Sequence, residues 1–280
     1  MQAIYEHWLQ RLSGLPGARL WVFGYKQAWS ALFGGLMIGA VLLTHIVDLP
    51  ILSRYDWLFV AALAIQAFML LAKLERPHEL ITIVAFHLTG LGMELFKTSE
   101  SVGSWTYPGY AFFHLGNVPL FSGFMYAAVG SYIARSWRVL ELSFTRPPKR
   151  VFSGLLALAI YINFFSHHFV YDLRYVLFAA TLLLYGRTSV SYKLATRRHR
   201  MPLVVGFVLI ALFIWLAENI ATYTSVWLYP NQIDSWHLVS IHKLGSWALL
   251  MIISFIMVDF LHLLRDKRPN HPPRGKGLRQ

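Results

Sequence analysis

Long runs of apolar residues with almost no charge most restrict what this chain can fold into. Several runs reach 17 or more residues, and about 20 apolar residues in a helix cross the hydrocarbon core of a bilayer. Of the 280 residues, 56% are hydrophobic and only 14% are charged, whereas about a quarter are charged in ordinary soluble domains. The sequence therefore predicts an all-α integral membrane protein and excludes a soluble enzyme, a coiled coil and a disordered chain.

The apolar runs predict eight transmembrane helices. Helices are the expected form because backbone polar groups in lipid must be satisfied within their own segment. An even number of helices places both termini on one side, which then carries 21 of the 25 Lys and Arg residues. The positive-inside rule therefore predicts that both termini are cytoplasmic. The predicted helices cover residues 29–47, 57–73, 80–97, 118–135, 151–168, 172–190, 202–224 and 239–263.

The net charge of +12 is explained by this topology and by attraction to anionic headgroups. Membrane lipid is thus an expected partner, and nucleic acid is not. Residues 1–28 lack the apolar core of a signal peptide and are expected to form a cytoplasmic amphipathic segment. Residues 139–150 are expected to form a basic cytoplasmic linker, and residues 265–280 a disordered basic tail.

The two halves of the chain share short motifs at nearly constant offsets of 118 to 124 residues. A duplicated four-helix unit explains this spacing, with repeats at residues 29–138 and 151–264. Because four is even, the repeats are parallel and related by a pseudo-twofold axis along the membrane normal. The matched motifs are Arg54-Tyr55 with Arg174-Tyr175, Glu94 with Glu218, and Trp105-Thr106-Tyr107-Pro108 with Trp227-Leu228-Tyr229-Pro230.

Charged residues inside membrane helices mark function by default, and here they cluster at the non-cytoplasmic ends. Glu94 and Glu218 are predicted to share a pocket between the repeats, with Lys97 and Lys243 as their ion-pair partners, and these four are the catalytic candidates. The side chains predicted to bind substrate are Trp105, Tyr107, Trp227, Tyr229, His87, Arg54 and Arg174.

Two simpler interpretations stay open. Arg54 with Asp56, and Asp172 with Arg174, are also typical of interfacial ion pairs. The Trp-x-Tyr-Pro motifs are also typical of aromatic anchors at a membrane surface.

His167, His168 and Asp172 form the only group with a possible metal-ligand spacing, because His168 and Asp172 are four residues apart. A metal site requires three or more convergent ligands, and the sequence has neither an HExxH motif nor the repeated His-box of desaturases. Walker, Rossmann and G-x-S-x-G motifs are also absent. The sequence therefore predicts no metal and no cofactor.

Several segments together resemble the bacterial domain-of-unknown-function family 817, over about residues 20 to 264. They include Met93-Glu94-Leu95-Phe96-Lys97-Thr98 and Trp215-Leu216-Ala217-Glu218-Asn219, with residues 23–29, 103–108, 118–133, 163–168 and 243–247. The resemblance implies a polytopic protein of the bacterial inner membrane and indicates little about its chemistry.

A membrane acid followed by Trp-x-Tyr and a Pro-led helix, in duplicated bundles, is also similar to the heterodimer-type lycopene cyclases and related carotenoid-modifying membrane proteins. Those proteins carry acidic residues after the proline. Here Pro119 is followed by Leu120 and Phe121, so the chain departs from the cyclase pattern.

Two main functional hypotheses follow. The first is a cofactor-free enzyme that modifies an isoprenoid or another small lipophilic substrate, with Glu94 or Glu218 as general acid. The second is a transporter on parallel repeats, in which the two carboxylates bind a proton or a cation. An accessory membrane protein is a third hypothesis. The sequence leaves the choice between enzyme and transporter, the substrate and the oligomeric state open.

Overall fold

The structure, a computed structural model, describes residues 2–195 and 197–266. The predicted basic tail at 265–280 lies almost entirely outside these residues. Helices dominate the described part of the chain. They are α1 (Gln2–Ser13), α2 (Ala18–Ser30), α3 (Leu32–Ile46), α4 (Arg54–Leu71), α5 (Glu79–Lys97), α6 (Ser122–Val139), α7 (Arg150–Ser166), α8 (Arg174–Tyr185), α9 (Leu203–Tyr223) and α10 (Lys243–Asp266), with a 3₁₀ turn at Pro230–Gln232.

Each of the eight predicted helices coincides with one of α3 to α10, and the boundaries agree within five residues. Among the described helices, α4, α5, α9 and α10 are long and apolar enough to cross a membrane. The pair α2 and α3, bent by 72°, would make a fifth span. The prediction of a mostly helical membrane protein is therefore confirmed, and length and composition identify four or five of the eight predicted spans.

Contacts between helix ends define two ends of the bundle. At one end, which we name the outer end after the predicted orientation, α5, α7 and α9 finish and α4, α6, α8 and α10 begin. At the inner end, Lys26 of α2 donates hydrogen bonds to the carbonyl oxygens of Val139, at 3.1 Å, and Lys193, at 2.9 Å. Consecutive helices from α3 to α10 therefore run in alternating directions.

The prediction of a purely helical chain is wrong in two places. A hairpin of β1 (His114–Leu115) and β2 (Val118–Pro119) precedes α6, and β3 (Ser143–Thr145), β4 (Ser189–Leu194) and β5 (Arg197–Pro202) form an antiparallel sheet in that order. β3 lies within the predicted linker at 139–150. In strand β4, Val190 and Leu194 are buried and Tyr192 between them is partly buried against the cluster of Leu194, so the apolar side chains fall on every second residue, as in a strand.

Helices α6 and α10 form the centre of the bundle and pack against each other. No residue of α6 is exposed, and none is exposed in α10 before Leu264. The outward faces of the surrounding helices carry large exposed apolar side chains, among them Leu63, Leu183 and Phe213. Such extensive exposed apolar surface is typical of a protein covered by lipid.

Candidate functional site

A cage of aromatic donors surrounds Glu94, which lies near the outer end of α5 and is 3% exposed. Its Oε2 accepts hydrogen bonds from Trp105 Nε1 at 2.8 Å and the Tyr107 hydroxyl at 2.7 Å, and its Oε1 accepts one from the Tyr126 hydroxyl at 2.8 Å. Burial, and then the Glu94 charge, raise the pKa of Tyr107 well above its ordinary value, so its hydroxyl stays protonated. Three hydrogen-bond donors suit an ionised carboxylate, because its oxygens can only accept hydrogen bonds.

Glu218 occupies a second cage of the same kind near the outer end of α9. Its Oε1 accepts a hydrogen bond from the Tyr229 hydroxyl, and its Oε2 accepts one from Trp247 Nε1 at 2.5 Å. Tyr229 corresponds to Tyr107 in the first half. The indole donor comes from α10 rather than from Trp227, which packs against the hydrophobic core.

The sequence analysis missed Tyr126 and Trp247, the donors from the two central helices. Their numbers differ by 121, which falls within the offsets of the repeated motifs. The spacing between the two halves therefore also relates Tyr126 to Trp247, but the match is hard to detect because the two residues are of different types.

The two Trp-x-Tyr-Pro motifs meet where the halves of the chain touch. The N–H of Thr106 donates to the carbonyl oxygen of Leu228, and the N–H of Leu228 donates to that of Thr106, both at 2.9 Å. The Trp105 ring lies edge-on to the Tyr229 ring, with 6.1 Å between their centroids. Since each ring also donates to a carboxylate, the two cages are in contact.

The predicted ion pairs Glu94–Lys97 and Glu218–Lys243 are wrong. Among the described residues, no ion pair joins either lysine to either carboxylate. The side chain of Glu94 reaches towards α6, where it meets Tyr126. Neutral aromatic donors hold both carboxylates, and Lys243 lies near enough to Glu218 for their charges to attract without an ion pair between them.

Both lysines make contacts across the boundary between the halves. Lys97 Nζ lies 2.6 Å from His168 Nε2 and 4.1 Å from the centre of the Phe164 ring. Lys243 Nζ lies over the Tyr229 ring at 4.2 Å, and 5.9 Å from the centre of the Trp105 ring. We call the region of Lys97, Lys243, His168, Phe164 and Trp105 the outer seam. The aromatic side chains that donate to each carboxylate belong to the same half of the chain as that carboxylate. Each lysine ammonium group, in contrast, contacts a residue of the other half.

Arg54 and Asp56 do not form the ion pair considered from the sequence. The guanidinium of Arg54 donates to the carbonyl oxygen of Thr224 in the other half. The Asp56 carboxylate accepts the backbone N–H groups of Phe112, at 3.0 Å, and Phe113, at 2.9 Å. Arg54 thus joins the halves, and Asp56 fixes the loop before α6.

Asp172 and Arg174 do form the expected ion pair, with 2.5 Å between Oδ2 and Nε. Burial opposes the charge of Asp172, but hydrogen bonds from the Arg174 N–H, Asn163 and the Arg174 guanidinium hold its pKa below the usual value. The His167 Nδ1 donates to the carbonyl oxygen of Asn163 at 2.9 Å. Because α7 ends before His167, helical spacing does not bring His168 onto Asp172. The described residues contain no group of three or more His, Cys, Asp or Glu side chains suited to a metal.

Close packing of α5 on α6 positions both His87 and Tyr126. His87 packs against the Phe124 ring, with 4.5 Å between centroids, and its buried Nδ1 has no hydrogen-bond partner among the described residues. A Cβ added at Gly90 would lie 2.4 Å from the Tyr126 ring, so only glycine fits there.

Beside Tyr126 lies a cavity of about 20 Å³, lined by residues of both halves that include Met93, Tyr161 and Met257.

A second buried polar cluster near the inner end was missed by the sequence analysis. Glu75 accepts a hydrogen bond from Gln66 Nε2 at 2.6 Å and another from the Ser131 hydroxyl. Arg135, only 1% exposed, donates to the carbonyl oxygen of Leu74 at 2.7 Å. Arg135 is the last residue of a predicted helix, and the sequence analysis uses it only as one of the positive charges that predict the orientation. These contacts fasten the α4–α5 loop to α6.

Comparisons with known proteins agree with the resemblance noted from the motifs. Residues 19–255 match the family described as "Protein of unknown function (DUF817)". The "Uncharacterized protein YoaT" of Bacillus subtilis (strain 168) is 44% identical over 247 residues, which cover 88% of this chain and 93% of that protein. No solved structure matches the chain. The matched residues include both cages and the whole outer seam.

Proposed function

We propose that this chain, which belongs to the DUF817 family of proteins of unknown function, is a proton-coupled transporter of the bacterial inner membrane. The observation that carries the proposal is the pair of caged carboxylates, Glu94 and Glu218, whose cages touch across the two halves through the rings of two of their donors. Ionisable residues within membrane helices mark ion and proton pathways. Transporters built from repeats bind substrate and coupling ion where the repeats meet.

In this proposal all eight helices α3 to α10 cross the membrane, as two parallel repeats, with both termini cytoplasmic. The alternating directions of the helices support it, as do the equivalent central positions of α6 and α10. The polar residues of α6, such as Ser131 and Arg135, lower its hydropathy but are enclosed by protein. Reporter fusions after Arg150 and Arg200 are expected to be cytoplasmic, and one at Gly109 external. The reverse pattern would contradict this orientation.

The surroundings of the carboxylates favour transport over the lipid-modifying enzyme. A general acid must lie within hydrogen-bond reach of its substrate, but all four carboxylate oxygens already accept hydrogen bonds from the protein.

Protonation of a caged carboxyl group supplies the coupling step. A proton taken up on Oε2 makes that oxygen a donor and reduces the number of hydrogen bonds it can accept, so the Trp105 indole and the Tyr107 hydroxyl, which both donate to it, then compete for one acceptor. The cage of Glu94 therefore loosens when it takes up a proton. Since Trp105 also contacts Tyr229 of the other half, loosening is transmitted to the boundary along which the two repeats move.

Electrical recording on proteoliposomes adsorbed to a solid support tests the proposal. A panel of amino acids, sugars, organic acids and inorganic anions is applied under a pH gradient. We expect at least one solute to produce a charge movement that is lost in Glu94→Gln and Glu218→Gln. The control is Glu100→Gln, an exposed carboxylate at the same end of α5, which should behave like the wild type.

Charge movement that is absent for every solute, or unchanged in both glutamine variants, would contradict transport. Conversion of a host lipid extract by the purified protein, detected by mass spectrometry and lost in both variants, would favour the enzyme instead.

A further inference from the structure

We infer that the outer seam binds a small anion with oxygen acceptors, the carboxylate of an organic acid or an inorganic oxyanion, between Lys97 and Lys243. The part of the inference that identifies this anion as the transported substrate rests on the proposed transport function. The existence of the binding site is argued from the two lysines and their surroundings alone.

The two ammonium groups have more hydrogen-bond donors than the seam has acceptors. Each lysine has three N–H donors when it is protonated. Lys97 uses one on His168 Nε2, and Lys243 makes no hydrogen bond within the described residues, only contacts with the faces of two aromatic rings. Five of the six donors therefore lack an acceptor from the protein. An oxyanion supplies several acceptors at once.

Among the described residues, neither nearby carboxylate accepts a hydrogen bond from these donors, since Glu94 and Glu218 are bonded to aromatic donors, although the charge of Glu218 attracts Lys243. Lys97 is also only 3% exposed, so bulk water is largely kept from it. The charges of Lys243 and Arg174 repel that of Lys97, and Asp172, already paired with Arg174, attracts it. A bound anion would relieve this repulsion.

His168 separates Lys97 from the outer surface. Burial, together with the positive charges of Lys97 and Lys243 and the neighbouring His167, lowers the pKa of His168 to about 4, although Asp172 opposes this. The imidazole is therefore neutral at pH 7, and its Nε2 accepts from Lys97. His168 itself is exposed. An anion arriving from outside therefore meets His168 first. It then replaces the neutral His168 Nε2 as the acceptor for Lys97, because a charged acceptor forms the stronger hydrogen bond.

Aromatic rings form the walls of the same site. The Phe164 ring lies 4.1 Å from Lys97 Nζ, and the Tyr229 and Trp105 rings face Lys243 Nζ. These walls suit an anion with a flat apolar group, so an aromatic carboxylate is expected to bind more tightly than acetate. Because Trp105 faces the site, its fluorescence is a probe of binding.

Titration of the purified full-length protein in detergent at pH 7 tests the inference. Benzoate, acetate and inorganic phosphate are added separately at constant ionic strength, and tryptophan fluorescence and the melting temperature are followed. We expect saturable binding of at least one anion, weakened about tenfold or more in Lys97→Met and Lys243→Met, the effect of losing a charge-assisted hydrogen bond. Binding of benzoate or phosphate then identifies the source of the anion.

The matched control is Lys149→Met, an exposed lysine at the inner end, which should bind like the wild type. If Lys97→Met fails to fold, Lys97→Arg keeps the charge and should retain binding, whereas Lys243→Met still tests the site. No saturable binding of any of the three anions, or equal binding in both lysine variants, would overturn the inference.

The outcomes also separate this inference from the proposed function. Anion binding without any solute-coupled charge movement would leave the site standing and contradict transport. Coupled movement of an uncharged solute, without anion binding, would leave transport standing and overturn the anion site.

Discussion

Replacing Tyr126 by phenylalanine removes one hydroxyl from the Glu94 cage and keeps the ring. The lost hydrogen bond is 2.8 Å long and reaches a carboxylate that is 3% exposed, so water does not readily replace it. A hydrogen bond to a charged group contributes about 1.5–3 kcal/mol to the free energy of unfolding. At about 2–4 °C per kcal/mol for chains of nearly this size, we expect Tyr126→Phe to lower the melting temperature by roughly 3–12 °C in detergent.

The control for this change is Tyr175→Phe, because Tyr175 is 74% exposed and its hydroxyl makes no hydrogen bond with a described residue. It should melt like the wild type. In a double-mutant cycle with Glu94→Gln, the two changes should be coupled by about 0.5–3 kcal/mol, because they remove one interaction from both sides. If Tyr126→Phe melts like Tyr175→Phe, or if the cycle is additive, the donor cage does not stabilise Glu94 as described.

Three further changes test other parts of the site by melting measurements. Gly90→Ala should be strongly destabilising, because its Cβ would lie 2.4 Å from the Tyr126 ring, whereas Gly92→Ala, with open space around it, should be tolerated. Glu94→Gln should not rescue the stability of Lys97→Met, since no ion pair joins the two side chains; rescue of one change by the other would contradict this. The pKa of His168 falls from 6.5 to about 4 on folding, so the unfolded chain binds the proton first and stability drops as pH falls through that range. His168→Gln, which keeps an acceptor that does not titrate, should show a smaller drop; an unchanged pH profile would refute the assignment.

The helices were predictable because an apolar run in lipid has no alternative to a helix. The strands were not, because β4 has only six residues and lies within a basic segment. Helix α6 is not among the described helices that length and composition identify as membrane spans. A helix enclosed by protein tolerates Ser131 and Arg135, and composition does not distinguish that position from a surface helix.

The site was predictable in its residues and not in its contacts. Motif spacing pointed to Glu94, Glu218 and the aromatic residues after them. It did not give the direction of side chains on a helix, so Lys97 was paired with Glu94 on sequence separation alone. The donor Trp247 lies 29 residues after Glu218, beyond the reach of any local pattern.

The central claim is that the two caged carboxyl groups take up and release protons. Infrared difference spectra of proteoliposomes, recorded while the pH is stepped, measure this directly through the C=O stretch of protonated carboxyl groups. We predict a signal from buried carboxyl groups that is reduced in Glu94→Gln and in Glu218→Gln and kept in Glu100→Gln. A spectrum without such a signal, or one that is the same in all three variants, would contradict the account.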